Sequence, residues 1–401
     1  MNQTPQARTR PLAEFVPLMA LMISLVALST DAMLPALPLI GSDLGVQKAN
    51  NNQWILSAFF LGLALGQMVF GPLSDSVGRK LAINAGLILF MVGCLLSTFA
   101  TDFPTMLAGR ILQGVGAAGP RTVSIALIRD QYEGRAMARI MSFIMAVFIL
   151  VPAAAPAIGQ GIVYIADWRE IFVFFLALAL IVFVWFTARQ PETLPLDRRN
   201  ALAAGRIGRA IVEVCTNRVA FSNAAAAGFV FAAMIGYLTS SQQIFQDTYQ
   251  LGSLFPLFFA VLALAIGSAS FSNSRLVIRY GMRVLSGRAL IAIIGLSVVF
   301  FVIAATMSGQ PPFWAFMTYG LATFFCLGIL FGNLTAMAME PLGHIAGVGS
   351  AVVSTLTGFI SLLFGSAVGL GYDGTVLPLV GGFAVFGTFA YILVRRGDQG
   401  R

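Results

Sequence analysis

Long apolar stretches recur from one end of this 401-residue chain to the other. A helix of about 20 apolar residues is long enough to cross the hydrocarbon core of a bilayer. The chain is 58% hydrophobic and only 10% charged, whereas an ordinary soluble domain carries about 25% charged residues. The sequence therefore predicts an all-α membrane protein that crosses the bilayer many times, and it argues against a soluble enzyme.

The hydropathy pattern predicts twelve transmembrane helices in two sets of six. Arg and Lys concentrate in alternate loops, and the predicted outside loops hold only Lys48 and Arg169. Because positively charged loops stay in the cytoplasm, both termini are predicted to be cytoplasmic. The same distribution indicates that the net charge of +8 reflects membrane topology and not nucleic-acid binding. The predicted spans are 15–40, 52–71, 81–101, 105–127, 139–164, 168–187, 220–240, 254–272, 286–306, 312–334, 346–367 and 374–394.

The longest polar stretch divides the chain near its middle. Residues 188–218 are predicted to be a cytoplasmic linker that contains a short amphipathic helix. The predicted domains are a cytoplasmic tail (1–14), an amino-terminal six-helix bundle (15–187), this linker, a carboxy-terminal six-helix bundle (219–395) and a second tail (396–401).

A weak internal repeat supports this division. GPLSDSVGRKLAI from Gly71 is echoed by SRLVIRYGMRVLS from Ser274, with Gly281 in the place of Gly78. Each segment lies between the second and third spans of its half. Two six-helix halves related in this way form a known transporter plan, in which the substrate binds between them near the membrane midplane.

A carboxylate lies within the first predicted span. Asp31 is expected to face a polar cavity, because a charge at the centre of a membrane helix costs about 2.5–3.5 kcal/mol. Arg110 in the fourth span lies at a similar depth, so we predict a buried ion pair between these two side chains. In one interpretation Asp31 loads and releases a proton and Arg110 tunes it. In the other, the pair is a structural link between the two helices.

Four further residues are predicted to line a substrate cavity. Ser24 shares a helix face with Asp31, and Tyr237 lies in the seventh span. Gln113 and Arg121 follow Arg110 on a broad face of the fourth span. Arg121 is interpreted as a contact for an anionic substrate, as a partner of a loop acid, or as an arginine that reaches the inner membrane surface.

The sequence predicts no cofactor. Gly114 to Gly119 spell GxGxxG, but within a membrane helix these small residues favour close helix packing over nucleotide binding. GxxxxGK[ST] does not occur, which argues against a primary pump, and the three cysteines have no metal-binding spacing. Met137, Met141 and Met145 follow one helix face, and thioethers ligate Cu(I). We interpret them as packing residues and predict no metal site, with copper kept as an alternative cargo.

Several motifs resemble those of the major facilitator superfamily. GPLSDSVGRK resembles its signature loop, GRILQGVGAAG the helix-4 motif of its drug/proton antiporters, and VPAAAPAIGQ their helix-5 antiporter motif. STDAMLPALP, RDQYEGRAMARIMSF and WREIF followed by PETLP resemble the Bcr/CflA drug-resistance branch. The resemblance implies a monomeric, proton-coupled antiporter that exports small amphiphilic compounds or drugs across a bacterial inner membrane. Its implied partners are a small-molecule substrate, protons and the lipid bilayer, with no nucleic acid.

The resemblance also implies roles for two sets of residues. At the cytoplasmic gate, Gly71 and Gly78 form tight turns, Asp75 caps the start of helix 11, and Arg79 pairs with Asp130. In helix 5, a bend at Pro152, Pro156 and Gly159 seals the two halves in one state. The chain departs from the family pattern at Pro120-Arg121, at Gln160, and at Ile278, which stands where the first signature loop has Asp75.

Two other functions stay open at this stage. The same fold is suited to proton-coupled or facilitated uptake of a small nutrient, a vitamin or copper. A membrane receptor or scaffold without transport is the second alternative. The predicted intramembrane acid and the gating loop favour transport over the receptor.

Overall fold

The structure is a computed structural model that describes residues 12–132, 134–199 and 204–399. Regular secondary structure within these ranges is helical, and no strand occurs in them. The α-helices are α1 (Leu12–Asp31), α2 (Leu37–Asp43), α3 (Trp54–Val77), α4 (Arg79–Thr98), α5 (Phe103–Gln131), α6 (Gly134–Ile165), α7 (Arg169–Arg189), α8 (Ala204–Thr216), α9 (Arg218–Gln243), α10 (Phe255–Tyr280), α11 (Met282–Thr306), α12 (Phe313–Met339), α13 (Ala346–Leu370) and α14 (Leu377–Asp398).

These helices make the chain a multi-pass membrane protein. Among the described residues, 10 helical stretches are long and apolar enough to cross a membrane, and one of them runs from α12 through a 3-10 turn into α13. The described part of α6 adds a shorter apolar stretch, Leu150–Ile165. Helices α1 with α2, α3 to α7 and α9 to α14 correspond to the predicted spans, and α8 lies in the predicted linker. The total of twelve spans and the cytoplasmic termini stay predictions.

The first predicted span is not one continuous helix. Helix α1 ends at Asp31, and a 3-10 turn, Leu34–Ala36, separates it from α2. Pro35 lies in the first turn of this segment and has no N–H to donate, so the α-helical hydrogen-bond pattern is interrupted there. The break places Asp31 at the end of a helix, inside the protein.

Small residues bring α5 close to both of its neighbours. A side chain at Gly114 would collide with the carbonyl of Phe59 in α3, and one at Gly116 would collide with the backbone of Phe90 in α4. The glycine-rich segment therefore serves helix packing, as the sequence pattern predicts. This close approach fixes the rotation of α5, which carries both Arg110 and Arg121.

The two six-helix sets meet along two pairs of helices. Helix α3 packs against α13, and α6 packs against α10. Within the second set, α9 packs against α12, α13 and α14, and the linker helix α8 rests on α9 and α13. A cavity lies between the two sets, and its wall holds the candidate functional residues.

Candidate functional site

The central cavity has a volume of about 420 Å³ and is lined by both six-helix sets. Ligand pockets for small molecules have volumes of about 300–1,000 Å³ and mostly apolar walls with a few polar groups. The polar side chains that line this cavity are Thr30, Asp31, Gln67 and Arg121 from the first set and Tyr237, Thr335, Ser354, Thr357 and Ser361 from the second.

Asp31 lies on the cavity wall and is only 4% exposed. The Thr30 hydroxyl lies 2.8 Å from Asp31 Oδ1 and is also within hydrogen-bond distance of the Val26 and Ala27 carbonyls. No described cation forms an ion pair with Asp31. The carboxyl group is therefore buried beside a hydroxyl group and has no counter-ion in the described part of the chain.

Arg110 does not form the predicted ion pair with Asp31. Its guanidinium donates to the carbonyls of Ile55 (3.2 Å) and Ser29 (3.1 Å) and to Gln113 Oε1. The carbonyl of Ser29, two residues before Asp31, takes the place that the prediction gave to the carboxylate. Arg110 is fully buried, and its charge lies 4.6 Å from the ring centre of Phe59. Arg110 therefore reaches the end of α1, but it bonds to the backbone there and the predicted ion pair with Asp31 is not formed.

The other predicted cavity residues divide into two groups. Arg121 and Tyr237 lie on the cavity wall. Ser24 is buried in α1 away from the wall, and Gln113 is buried between Arg110 and Cys94, to whose sulfur it donates at 3.0 Å. Neither Ser24 nor Gln113 is part of the wall of this cavity. Contact of any of these residues with a substrate stays a prediction.

Arg79 forms the centre of a charged cluster at the junction of α3 and α4. Its Nε donates to Asp130 Oδ2 at 2.9 Å, and its Nη1 donates to Asp75 and to Ser74 Oγ. The side chain is 7% exposed although it is charged. The pair with Asp130 is therefore present in the structure, together with a second acid, Asp75.

Backbone contacts hold this junction in place. Gly78 joins α3 to α4 with a φ of +106°, a conformation that favours glycine. The carboxylate of Glu192 packs against Gly78 and accepts from the backbone N–H groups of Arg79 (2.9 Å) and Lys80 (3.1 Å). Glu192 was not among the predicted site residues, although it lies in the PETLP motif.

The predicted cap of helix 11 differs in detail. Helix 11 is α13, which begins at Ala346, and no side chain caps its first turn through a hydrogen bond. Asp75 instead lies beside that turn, with its Oδ2 3.5 Å from the position that a Cβ at Gly347 would occupy. Gly71 lies inside α3 and not in the tight turn predicted for it, and it faces α13 next to Ala351. Asp75 is thus in contact range of the second half, while its hydrogen bond goes to Arg79.

The helix-5 motif borders the end of α1. Pro152 lines the cavity, and both Pro152 and Pro156 lie inside the continuous helix α6. Gly159 packs on the carbonyl of Ala32, where any side chain would collide. Because Ala32 follows Asp31, this contact fixes the segment that carries the buried carboxyl group.

Two of the three methionines on the predicted helix face are described by the structure. Met137 and Met141 are partly buried and pack against the hydrophobic core, and the side chain of Met145 is outside the described part of the structure. The described residues contain no group of three His, Cys, Asp or Glu side chains placed to hold a metal. Met137 and Met141 therefore have a packing role in this structure.

A neutral hydrogen-bond network lies at the end of the protein that is predicted to be external. Gln243 at the end of α9 accepts from Gln53 Nε2 (3.2 Å) and donates to Asn50 Oδ1 (2.8 Å). Asn50 Nδ2 in turn donates to the carbonyls of Leu370 and Tyr372. We call Asn50, Gln53, Gln243 and Tyr372 the amide cluster. Its sequence signals were the NNNQ run before α3 and the paired glutamines at the end of α9.

The amide cluster joins the two halves without any charge. Burial raises the pKa of the Tyr372 phenol, so this group stays a neutral donor and acceptor. Its oxygen lies 2.6 Å from Thr248 Oγ1 and donates to the carbonyl of Gln243 at 3.3 Å. One helical turn after Gln53, Ser57 of α3 forms a 2.7 Å hydrogen bond with Ser366 of α13.

Comparisons with known proteins agree with this architecture. A family model described as Major Facilitator Superfamily matches residues 19–366. The chain is 28% identical over 385 residues to a Bacillus subtilis protein named uncharacterized MFS-type transporter YdgK, covering 95% of this chain and 91% of that protein. It is 29% identical over 387 residues to the bicyclomycin resistance protein homolog of Haemophilus influenzae, covering 94% and 95% respectively. The crystal structure of the human organic anion transporter MFSD10 (TETRAN) has the same fold, with a TM-score of 0.70, 16% identity, and coverage of 98% of this chain and 100% of that one.

Proposed function

Because this chain belongs to the Major Facilitator Superfamily, we propose that it is a proton-coupled exporter of small amphiphilic compounds in a bacterial inner membrane. Members of this family are transporters and not enzymes. The observation that carries the proposal is Asp31, a carboxyl group on the wall of the cavity between the two halves with no counter-ion among the described residues. The name of the bicyclomycin resistance homolog supports a drug-like cargo.

Asp31 would exchange a proton against the substrate. An ionised carboxylate is costly to keep in an apolar interior unless a proton or a cation neutralises it. A proton and the cationic part of a substrate therefore compete for Asp31. When the cavity faces outward a proton displaces the substrate, and when it faces inward a substrate displaces the proton. This competition couples export of the compound to entry of the proton.

Arg110 then has a different role from the one predicted. Its hydrogen bonds to Ser29 and Ile55 tie the end of α1 to α3 and α5. It holds the segment that carries Asp31 at the cavity wall, and it does not neutralise the carboxylate directly.

Two contacts between the halves would form the gates. The Arg79 cluster, with Asp75 beside the first turn of α13, lies at the end predicted to be cytoplasmic. The amide cluster lies at the end predicted to be external. Inward opening separates Asp75 from α13, and outward opening breaks the hydrogen bonds of Gln243. Alternation between these two breaks gives access to one side at a time.

Proton release on substrate binding tests the proposal. We would add the lipophilic cation tetraphenylphosphonium to purified protein in weakly buffered detergent solution near neutral pH. Wild-type protein is expected to release protons on binding, whereas Asp31→Asn binds without release. Asp197→Asn, which removes an exposed carboxylate from the linker, is the control and should behave as wild type. Equal release from Asp31→Asn and wild type would overturn the proposal and favour facilitated uptake by the same fold.

A further inference from the structure

Arg121 differs from the other two interior arginines. Arg79 is bonded to two acids, and Arg110 donates to three acceptors. Arg121 lines the central cavity and forms no ion pair with any described acid. A desolvated guanidinium without a counter-ion is costly, so its retention calls for a partner that the described residues do not supply.

The packing of α5 keeps Arg121 at the cavity. The preceding residues, Gly119 and Pro120, press against Gly86 of α4, where even a methyl group would make close contacts. This face of the helix is therefore filled by α4. The guanidinium remains on the cavity side, because α5 has no room to rotate.

Arg121 and Asp31 are the two charged groups among the described side chains of the cavity wall. They form no ion pair with each other. A cationic ligand would compensate Asp31 and leave Arg121 uncompensated, whereas an anionic ligand would do the reverse. A ligand that carries both charges compensates both groups.

The opposite wall suits the apolar body of such a ligand. It is built from α9, α10, α12 and α13, and it includes the stacked rings of Phe231 and Phe331, whose centres are 4.4 Å apart. Tyr237 stacks on Phe259 at 5.5 Å. Aromatic walls of this kind bind flat hydrophobic groups.

We propose that Arg121 is a specificity residue, and that it selects zwitterionic amphiphiles whose acidic group binds Arg121 while their amino group binds Asp31. This inference rests on the proposed function, because the amino group is the part of the substrate that competes with the proton. Arg121 then determines which compounds are carried, and Asp31 determines how their transport is coupled.

A matched ligand series tests this selection. The probes are an aromatic amino acid with an extended apolar body, its methyl ester (a cation) and its N-acetyl derivative (an anion). Dissociation constants would be measured by calorimetry on wild type, Arg121→Gln, Arg121→Lys and Asp31→Asn. Arg279→Gln, which removes an exposed charge from the end of α10, is the matched control.

Wild type should bind the zwitterion about tenfold more tightly than either singly charged probe, a difference of about 1.4 kcal/mol, since the zwitterion gains one charge-assisted hydrogen bond. Arg121→Gln should bind the zwitterion and the ester equally, and its unchanged affinity for the ester shows that it is folded. Arg121→Lys should keep most of the preference, and Asp31→Asn should bind the zwitterion and the N-acetyl probe equally. Arg279→Gln should match wild type.

Two outcomes separate this inference from the proposed function. If wild type binds the ester as tightly as the zwitterion but still releases protons through Asp31, the exporter stands and the role of Arg121 is overturned. The role of Arg121 is also overturned if Arg121→Gln keeps the zwitterion preference. If proton release does not depend on Asp31, the proposed function fails whatever the ranking of the three probes.

Discussion

The two halves share a backbone turn but not the charges around it. Gly78 joins α3 to α4 with a φ of +106°, and Gly281 joins α10 to α11 with a φ of +77°. Each glycine is the single residue between two consecutive helices, in agreement with the internal repeat. The shared turn is therefore what the duplicated fold requires, because a short reversal between two long helices needs a residue that accepts positive φ.

Among the described residues, the arginine at the first turn is buried between its two acids, whereas the arginine at the second turn pairs with two acids that are exposed. After Gly78 comes Arg79, buried between two acids, whereas after Gly281 comes Met282. Ile278 stands where the first loop has Asp75, and it is 87% exposed. The second half keeps an arginine, Arg283, but on the surface. The turn therefore does not need a buried ionic cluster to form. The cluster lies beside α13, at the proposed cytoplasmic gate.

Removing the central cation of each turn gives the largest contrast between the halves. Arg79→Gln leaves Asp75 and Asp130 close together without a counter-ion, and both are only partly open to water. We expect a loss of about 2–3 kcal/mol in the free energy of unfolding, since breaking a buried pair costs about 3–5 kcal/mol and water access reduces this. Arg283→Gln breaks exposed pairs with Glu340 and Asp398 and should cost about 0–1 kcal/mol.

Equilibrium unfolding in mixed detergent, followed by circular dichroism, measures both losses. High salt should reduce the loss in the free energy of unfolding caused by Arg283→Gln, because exposed charges are screened. Equal losses from the two variants would mean that the Arg79 cluster contributes no more than surface charge does, and the contrast between the halves would fail.

The sequence predicted depth in the membrane better than it predicted direction around a helix. Hydropathy set the ends of α4 and α9 within a few residues, and the motif gave the Arg79–Asp130 pair. The same arithmetic placed Arg110 level with Asp31, and its guanidinium does reach α1. A run of apolar residues fixes how far along the helix axis a side chain lies, since each residue adds about 1.5 Å.

Rotation about the axis depends on contacts that a single sequence does not specify. Gly62 of α3 packs on the carbonyl of Ile111, and Gly114 of α5 packs on that of Phe59. These contacts turn Arg110 towards α3 and leave Arg121 at the cavity. The helix break after Asp31 is a second example. A proline in the sequence indicates that a helix is interrupted, but it does not indicate which neighbouring helix or cavity the side chain of Asp31 faces.

Replacing each of the two turn glycines by alanine should give a smaller difference in stability between the halves. Gly281→Ala has open space around the new methyl group and should cost about 1 kcal/mol, from the positive φ alone. Gly78→Ala adds a collision with Glu192, which must move and release the N–H groups of Arg79 and Lys80. We expect about 2 kcal/mol in total, measured by the same unfolding experiment.

The double variant Gly78→Ala with Glu192→Ala separates the two contributions. Once Glu192 is shortened, the alanine at position 78 should cost no more than the alanine at position 281. If Gly78→Ala still costs more in that background, the difference comes from the backbone and not from the collision.

The smallest effect concerns the cavity, where the first half supplies the charges and the second supplies most of the aromatic rings. Phe331→Ala removes one ring of the Phe231–Phe331 stack and should weaken binding of the zwitterion, the ester and the N-acetyl probe by the same factor, about fivefold, since a ring contact contributes about 0.5–1.5 kcal/mol. Arg121→Gln should instead change the ranking of the probes. Phe301→Ala, a half-exposed ring outside the cavity wall, serves as the control in the same calorimetric titration. If Phe331→Ala changed the ratio of zwitterion to ester affinity, the second half would also distinguish ligands by their charge. The assignment of charge recognition to the first half would then be wrong.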